Sequence, residues 1–198
     1  MEEGPTSGAT AQGRTRTETR EVGELAHKLL RECDRSARYH LARGAFLDFS
    51  HRVLLLVIIV SSSATFARLT ERLAEVWVSV IAFIPTVAAA FILVSNFSRK
   101  AEDHRSLSRQ CRDLAKRINV RAASEESVEE WRIALLDIYK EEPAVYHALN
   151  AQCHNAVAQS IGAGKSQMQR IRWWQARLRN IVRFTPDSFP LNQPTPRT

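Results

Sequence analysis

VWVSVIAFIPTVAAAFILVSNFS, residues 76–98, is 23 residues without a charge. At 1.5 Å of rise per residue it makes a helix of roughly 34 Å, enough for the ~30 Å hydrocarbon layer of a bilayer with some tilt. Core helices of water-soluble proteins are seldom apolar all round over such a length. The stretch therefore predicts a membrane span, and the rest of the chain is read outward from it.

Upstream, VLLLVIIVSSSATFA at residues 53–67 is a second uncharged block. Its 15 residues make only roughly 22 Å of helix, a length shared with core and interfacial helices. Arg52 and Arg68 can snorkel to the two interfaces and Leu69 extends the block, so a shorter first span over 53–69 is expected. The connector RLTERLAE, residues 68–75, is too short for a domain and reads as the turn of a hairpin over 52–98. Cations cluster outside it: Arg35, Arg38, Arg43 and Arg52 precede the first span, and Arg99, Lys100, Arg105, Arg109, Arg112, Lys116 and Arg117 follow the second. By the positive-inside rule both termini are cytoplasmic, giving a multi-pass protein of the cell membrane. No short basic region leads directly into an apolar block, and Glu2, Glu3, Glu18, Glu21 and Glu24 argue against a mitochondrial presequence.

Pro85 removes a backbone donor mid-span. It is either a kink relieved by its neighbours or a hinge in an oligomeric pore. Ala82, Thr86 and Ala90 recur every fourth residue, as do Ser61 and Thr65, and small residues at that interval let helices approach closely in lipid. Ser61, Ser62 and Ser63 could line a polar path or bond back to the preceding turn. These residues are the candidate packing or pore face of a homo-oligomer. Neither span holds an ionisable residue, which counts against a proton-coupled transporter.

The flanks read as helices, so the expected class is all-α: a two-span hairpin with a cytoplasmic bundle. Residues 1–19 lack apolar periodicity and are expected to be disordered. An amphipathic helix over 20–51 carries Leu25, Leu29, Cys33, Ala37 and Leu41 at four-residue steps. Within 99–164, His104, Leu107, Cys111, Leu114 and Ile118 alternate steps of three and four, a coiled-coil seam that requires a partner. With no Gly or Pro from Thr86 to Asn119, the second span is expected to continue unbroken into this seam. Ser127 and Glu130 suggest a capping box ahead of Val128, Trp131, Leu135 and Ile138. Pro143 then starts or kinks the next segment, where Val145, Leu149, Cys153, Val157 and Ile161 form a stripe that Gly162 and Gly164 end. Residues 165–185 suggest a basic amphipathic helix with Ile171, Trp174, Leu178 and Ile181 on one side. Arg170, Arg172, Trp173, Trp174 and Arg177 are its candidate interfacial residues, either on lipid or packed on the bundle. Residues 186–198, rich in Pro and Thr, read as a disordered tail.

The net charge of +7 is not a nucleic-acid signature, because six of the cations fall in one acid-free stretch from Lys165 to Arg183. Nucleic acid is not an expected partner. GAGKS at residues 162–166 resembles the end of a P-loop, but Gln159 stands where the motif needs glycine and a helix precedes it in place of a strand. His147, Cys153 and His154 lack further ligands nearby in sequence, so no metal site is expected. No catalytic motif and no cofactor site is found, so no enzyme is expected. Cys33, Cys111 and Cys153 sit in stretches read as cytoplasmic, where thiols stay reduced.

The layout resembles the SLATT domains, two-transmembrane modules of bacteria and fungi found beside nucleotide second-messenger synthases and nucleotide-sensing domains. ARYHLARGAFLDFSHR before a short first span, the tight connector, the proline-containing second span, RKAEDHRSLSRQCRDLAKRI after it and the later EEPAVYHALNAQCHNAVAQS carry the resemblance, over about residues 20–165. It implies an effector that forms pores or perturbs the membrane in a nucleotide-signalling or defence setting, triggered by a separate sensor or synthase. A membrane anchor presenting a helical interaction module is the competing expectation.

Overall fold

The structure, a computed structural model, describes residues 7–63 and 75–192. These residues are mostly helical and contain no strand beyond one isolated bridge. The helices are α1 (Ser7–Ser61), α2 (Glu75–Ser95), α3 (Phe97–Val120), α4 (Glu125–Lys140), α5 (His147–Ser160) and α6 (Trp173–Leu178). Single 3₁₀ turns lie at Lys165–Gln167 and Pro186–Ser188. The all-α class is as expected. The connector and Thr65 lie outside the described residues, and the chain divides into two compact units, residues 40–106 and the remainder.

In the larger unit, the three-four seam of α3 is buried as its spacing requires: Leu107, Cys111, Leu114 and Ile118 pack with Ala26, Cys33 and Ala37 of α1. Val128, Trp131, Leu135 and Ile138 of α4 complete this core. Small side chains on α1 leave room for the bulk of Trp131 and Leu114, and the Ser108 hydroxyl donates to the Ala37 carbonyl at 2.9 Å. Polar ties join the α4–α5 linker to α1. Ser36 donates to Glu142 at 2.8 Å, and the Tyr146 amide at the start of α5 donates to the Tyr39 hydroxyl at 3.0 Å.

The four-residue ladder expected on α1 holds only at its centre, since Leu25 and Leu41 are exposed. Four residues advance a helix by about 400°, so five such positions drift roughly 160° round the axis and their ends leave the buried face. The buried set on α1 instead steps by four and three through Ala26, Cys33, Ala37, His40, Gly44 and Leu47, with the half-buried Leu30 filling the gap. The same drift exposes Ile161 at the end of α5 while Leu149, Cys153 and Val157 are buried.

Several boundaries differ from the sequence expectation. Helix α1 begins at Ser7, so the helix extends into the stretch expected to be disordered. The second span does not run on into α3: Asn96 adopts φ +48° and separates α2 from α3. Asn is among the few side chains that tolerate the left-handed region, so a break needs neither Gly nor Pro. Helix α2 meanwhile continues through Pro85. The capping box forms three residues earlier than the pair expected: Ser124 accepts from the Ser127 amide at 3.2 Å, and the Ser124 amide donates to the Ser127 hydroxyl at 2.8 Å. Starting there places Glu125 and Glu126 in the first turn, where carboxylates favour the helix dipole. Glu130 pairs instead with Arg121 at 2.8 Å.

Helix α5 stops as expected. Gly162 has φ +69°, its amide donates to the Gln159 carbonyl at 3.1 Å, and the Ala163 amide donates to the Ala158 carbonyl at 2.9 Å, the paired bonds of a Schellman end. Replacing Gly162 by Ala is expected to cost about 1 kcal/mol, because its φ is strained for any side chain. Leu114→Ala should cost about 2–5 kcal/mol, whereas Val120→Ala at an exposed site should stay within about 0.5 kcal/mol. Denaturant unfolding of the purified protein in detergent, followed by circular dichroism, ranks the three.

Candidate functional site: the apolar segment and its helical collar

Within Glu18–Ser61 lies a window of mean hydropathy 1.7, long and apolar enough to cross a membrane, of which only 11% is buried. A core helix of a soluble domain would have that face covered. Here Val53, Leu55, Leu56, Val57, Ile59 and Val60 are exposed on α1. Phe83, Ile84, Val87, Phe91, Leu93 and Val94 are exposed on α2, Leu93 and Val94 by 77% and 80%. Bare apolar surface on this scale marks contact with lipid or with another protein.

The expected packing residues are not all alike in their settings. Ser61 donates to the Val57 carbonyl at 2.5 Å, which caps its hydroxyl within its own helix. Ser62 is exposed at the helix end. On α2, Thr86 and Ala90 are exposed, Pro85 is half-buried, and Ala88 is the small residue that is buried. Of Ala82 only the backbone is described.

Beside the apolar segment, α1 and α3 form a tight antiparallel crossing within residues 40–106. Gly44 makes it possible: a Cβ there would stand 3.1 Å from the Ala101 carbonyl oxygen. One turn before it, the buried His40 and His104 rings meet with Nδ1 to Nδ1 at 2.8 Å. One ring must donate and the other accept, so the contact requires complementary tautomers. One turn after Gly44, Asp48 accepts from Arg105 and pairs with Arg52 at 3.3 Å. The Arg43 guanidinium lies 5.4 Å from the Phe46 ring centroid. Reading α1 at fixed four-residue steps hid His40 and Gly44, and the three-four alternation would have found both.

The basic segment forms a helix only over Trp173–Leu178, not over 165–185. Asn155 of α5 explains the difference. Its side chain takes both backbone groups of Gln169, donating to the carbonyl at 2.8 Å and accepting from the amide at 2.6 Å. The Arg170 amide then donates to the Pro190 carbonyl at 2.9 Å and the Asn192 amide to the Met168 carbonyl at 2.9 Å, holding the segment extended. Ile171 and Phe184 pack on Ala148, Ala151 and Phe189, and Trp174 meets Phe184 edge to face. The segment is thus tied to α5 through Ile171 and Phe184, while Trp174 and Leu178 of the expected stripe stay exposed. Arg170, Arg172 and Arg177 are exposed, as is Trp173, by 78%. Ile181, expected on the same apolar stripe as Ile171, is exposed instead.

No three His, Cys, Asp or Glu side chains converge as a metal site among the described residues. The three cysteines are free and buried. Burial pushes the Cys33 thiol up to about 12 and Cys153 up to about 11, from an ordinary value near 9, and raises Cys111 as well. No family model, no curated protein and no solved structure matches this chain.

Two outcomes are expected. Gly44→Val should destabilise the crossing by about 1–3 kcal/mol, read as a lowered thermal midpoint, because the Ala101 carbonyl is backbone and cannot turn aside. For the thiols, the folded protein keeps protons that the unfolded chain releases, so their stabilisation is intact below about pH 9 and fades towards pH 11–12. The midpoint should fall more steeply above pH 9 in the wild type than in a Cys33→Ala/Cys153→Ala variant. Equal slopes would show that the thiols do not contribute.

Proposed function

We propose that this chain is a two-span membrane effector, with both termini cytoplasmic, that assembles with copies of itself to form a pore or perturb the cell membrane. The observation that carries the reading is the pair of exposed apolar surfaces on α1 and α2, with the small side chains Thr86 and Ala90 open among them. Large apolar side chains favour lipid, and small ones at four-residue spacing favour a second helix. The uncharged run at 76–98 and the cation-rich flanks support the second span and its orientation. The SLATT resemblance supplies the setting, a nucleotide-signalling or defence system in which a separate sensor or second-messenger synthase delivers the trigger. The role is non-catalytic.

The Ser61 hydroxyl, turned back to the Val57 carbonyl, favours a second reading, since a hydroxyl so used lines no polar path. In that reading the hairpin is an anchor for the helical bundle. Leakage of ions or dye, in cells and in liposomes, separates the two. The pore reading expects leakage from the wild type, its loss in Ala82→Leu/Ala90→Leu with membrane insertion intact, and an altered rate in Pro85→Ala. Wild-type protein that inserts yet never leaks, alone or with a candidate trigger, would leave the anchor. Cysteine-accessibility mapping with impermeant reagents should place residues 1–50 and 100–198 on the same side.

A further inference from the structure

The larger unit contains a cleft of about 380 Å³ between α1 and α5, also lined by Ser166, Gln167 and Leu191. Its α1 wall carries Lys28, Arg31, Glu32 and Arg35, which share one face at steps of three and four. Three cations against one carboxylate leave this wall a formal charge of +2. The α5 wall presents His154, then Val157, Ala158 and Ile161, again on one face.

Two buried nitrogens on residues lining this cleft lack a hydrogen-bond partner: Arg35 Nε, from the cationic wall, and His154 Nδ1, from the opposite one. Buried polar groups are nearly always satisfied, and an unmet one bears the full cost of its desolvation. The Arg35 guanidinium also pairs with Glu32, so the side chain is held in place while its buried Nε has no hydrogen-bond partner. A guanidinium N–H can only donate, and an imidazole nitrogen can donate or accept according to tautomer. An oxyanion can serve both.

We propose that this cleft binds a small ligand with a phosphomonoester head and an apolar body. The dianionic head matches the charge of the α1 wall, and its oxygens offer acceptors to Arg35, His154 and the Lys28 and Arg31 side chains. Val157, Ala158, Ile161 and Leu191 take the apolar body, and the volume suits a compact organic ligand. Binding joins α1 to α5 within one unit and stabilises their association by mass action. The site does not depend on whether the apolar segment forms a pore or an anchor. The same head group occurs on soluble metabolites and on phosphatidic acid.

Isothermal titration calorimetry on the full chain in phosphatidylcholine nanodiscs tests the proposal, with inorganic phosphate and 4-nitrophenyl phosphate as probes. One saturable site is expected, with 4-nitrophenyl phosphate binding about tenfold tighter than phosphate through burial of its ring. Lys28→Gln/Arg31→Gln, both exposed and outside the core, should weaken both probes about tenfold or more. Arg112→Gln/Lys116→Gln, an equal charge change on α3 away from the cleft, should leave affinity unchanged. Ile161→Ser should remove only the advantage of the aryl probe. Nanodiscs containing phosphatidic acid distinguish the sources: competition with 4-nitrophenyl phosphate supports a lipid head group in the cleft, and unaltered binding supports a soluble ligand. No saturable binding of either probe, or equal weakening in both double variants, overturns the proposal.

Discussion

Close approach along α1 is the constraint on which the described structure depends. Ala26, Cys33 and Ala37 in one unit, and Gly44 in the other, are small side chains on the buried face of a single helix. They let bulky partners, Leu114 and Trp131 among them, fill the space beside α1 without voids. At Gly44 the partner is a backbone carbonyl 3.1 Å from where a Cβ would stand, so a side chain there would force the backbone to give way. The polar contacts within each unit follow from that closeness: Ser108 reaches the Ala37 carbonyl, and His40 reaches His104.

This packing uses one stripe of a 55-residue helix and leaves the remainder to other surroundings. From Val53 to Val60 the exposed side chains of α1 are all apolar, and those of α2 from Phe83 onward are apolar but for Thr86. Apolar surface of that extent is stable in water only when something covers it, and the α1 segment is long and apolar enough to cross a bilayer. Towards the N-terminal side of the seam, α1 instead presents the cationic face of Lys28, Arg31 and Arg35. One helix thus carries an apolar segment and a charged binding wall, because a 3.6-residue repeat allows different faces to serve different solvents.

The C-terminal segment shows how a few side chains redirect a stretch whose local pattern favours a helix. A six-cation, tryptophan-bearing sequence with helical spacing becomes an extended arm because Asn155 binds the backbone of Gln169 at both its donor and its acceptor. Once that peptide is held, Met168 and Arg170 pair with Asn192 and Pro190, and Phe184 and Phe189 close over Ala148 and Ala151. The helix survives only where the Gln175 side chain can cap the Arg172 amide, at 2.8 Å.

The sequence by itself determined the helical class, the two uncharged stretches, the α3 seam, the buried face of α4 and the glycine stop after α5. Each of these is written in short-range periodicity or in a residue with one conformational use, and such signals survive without knowledge of the partner. Tertiary structure decided the phase of the α1 stripe, the break at Asn96, the extended arm and the cleft between α1 and α5. Those depend on residues far apart in the chain: Gly44 against Ala101, Asn155 against Gln169, Arg35 and His154 on facing walls. Spacing along one helix reports which side chains share a face; only the packed chain decides what that face meets.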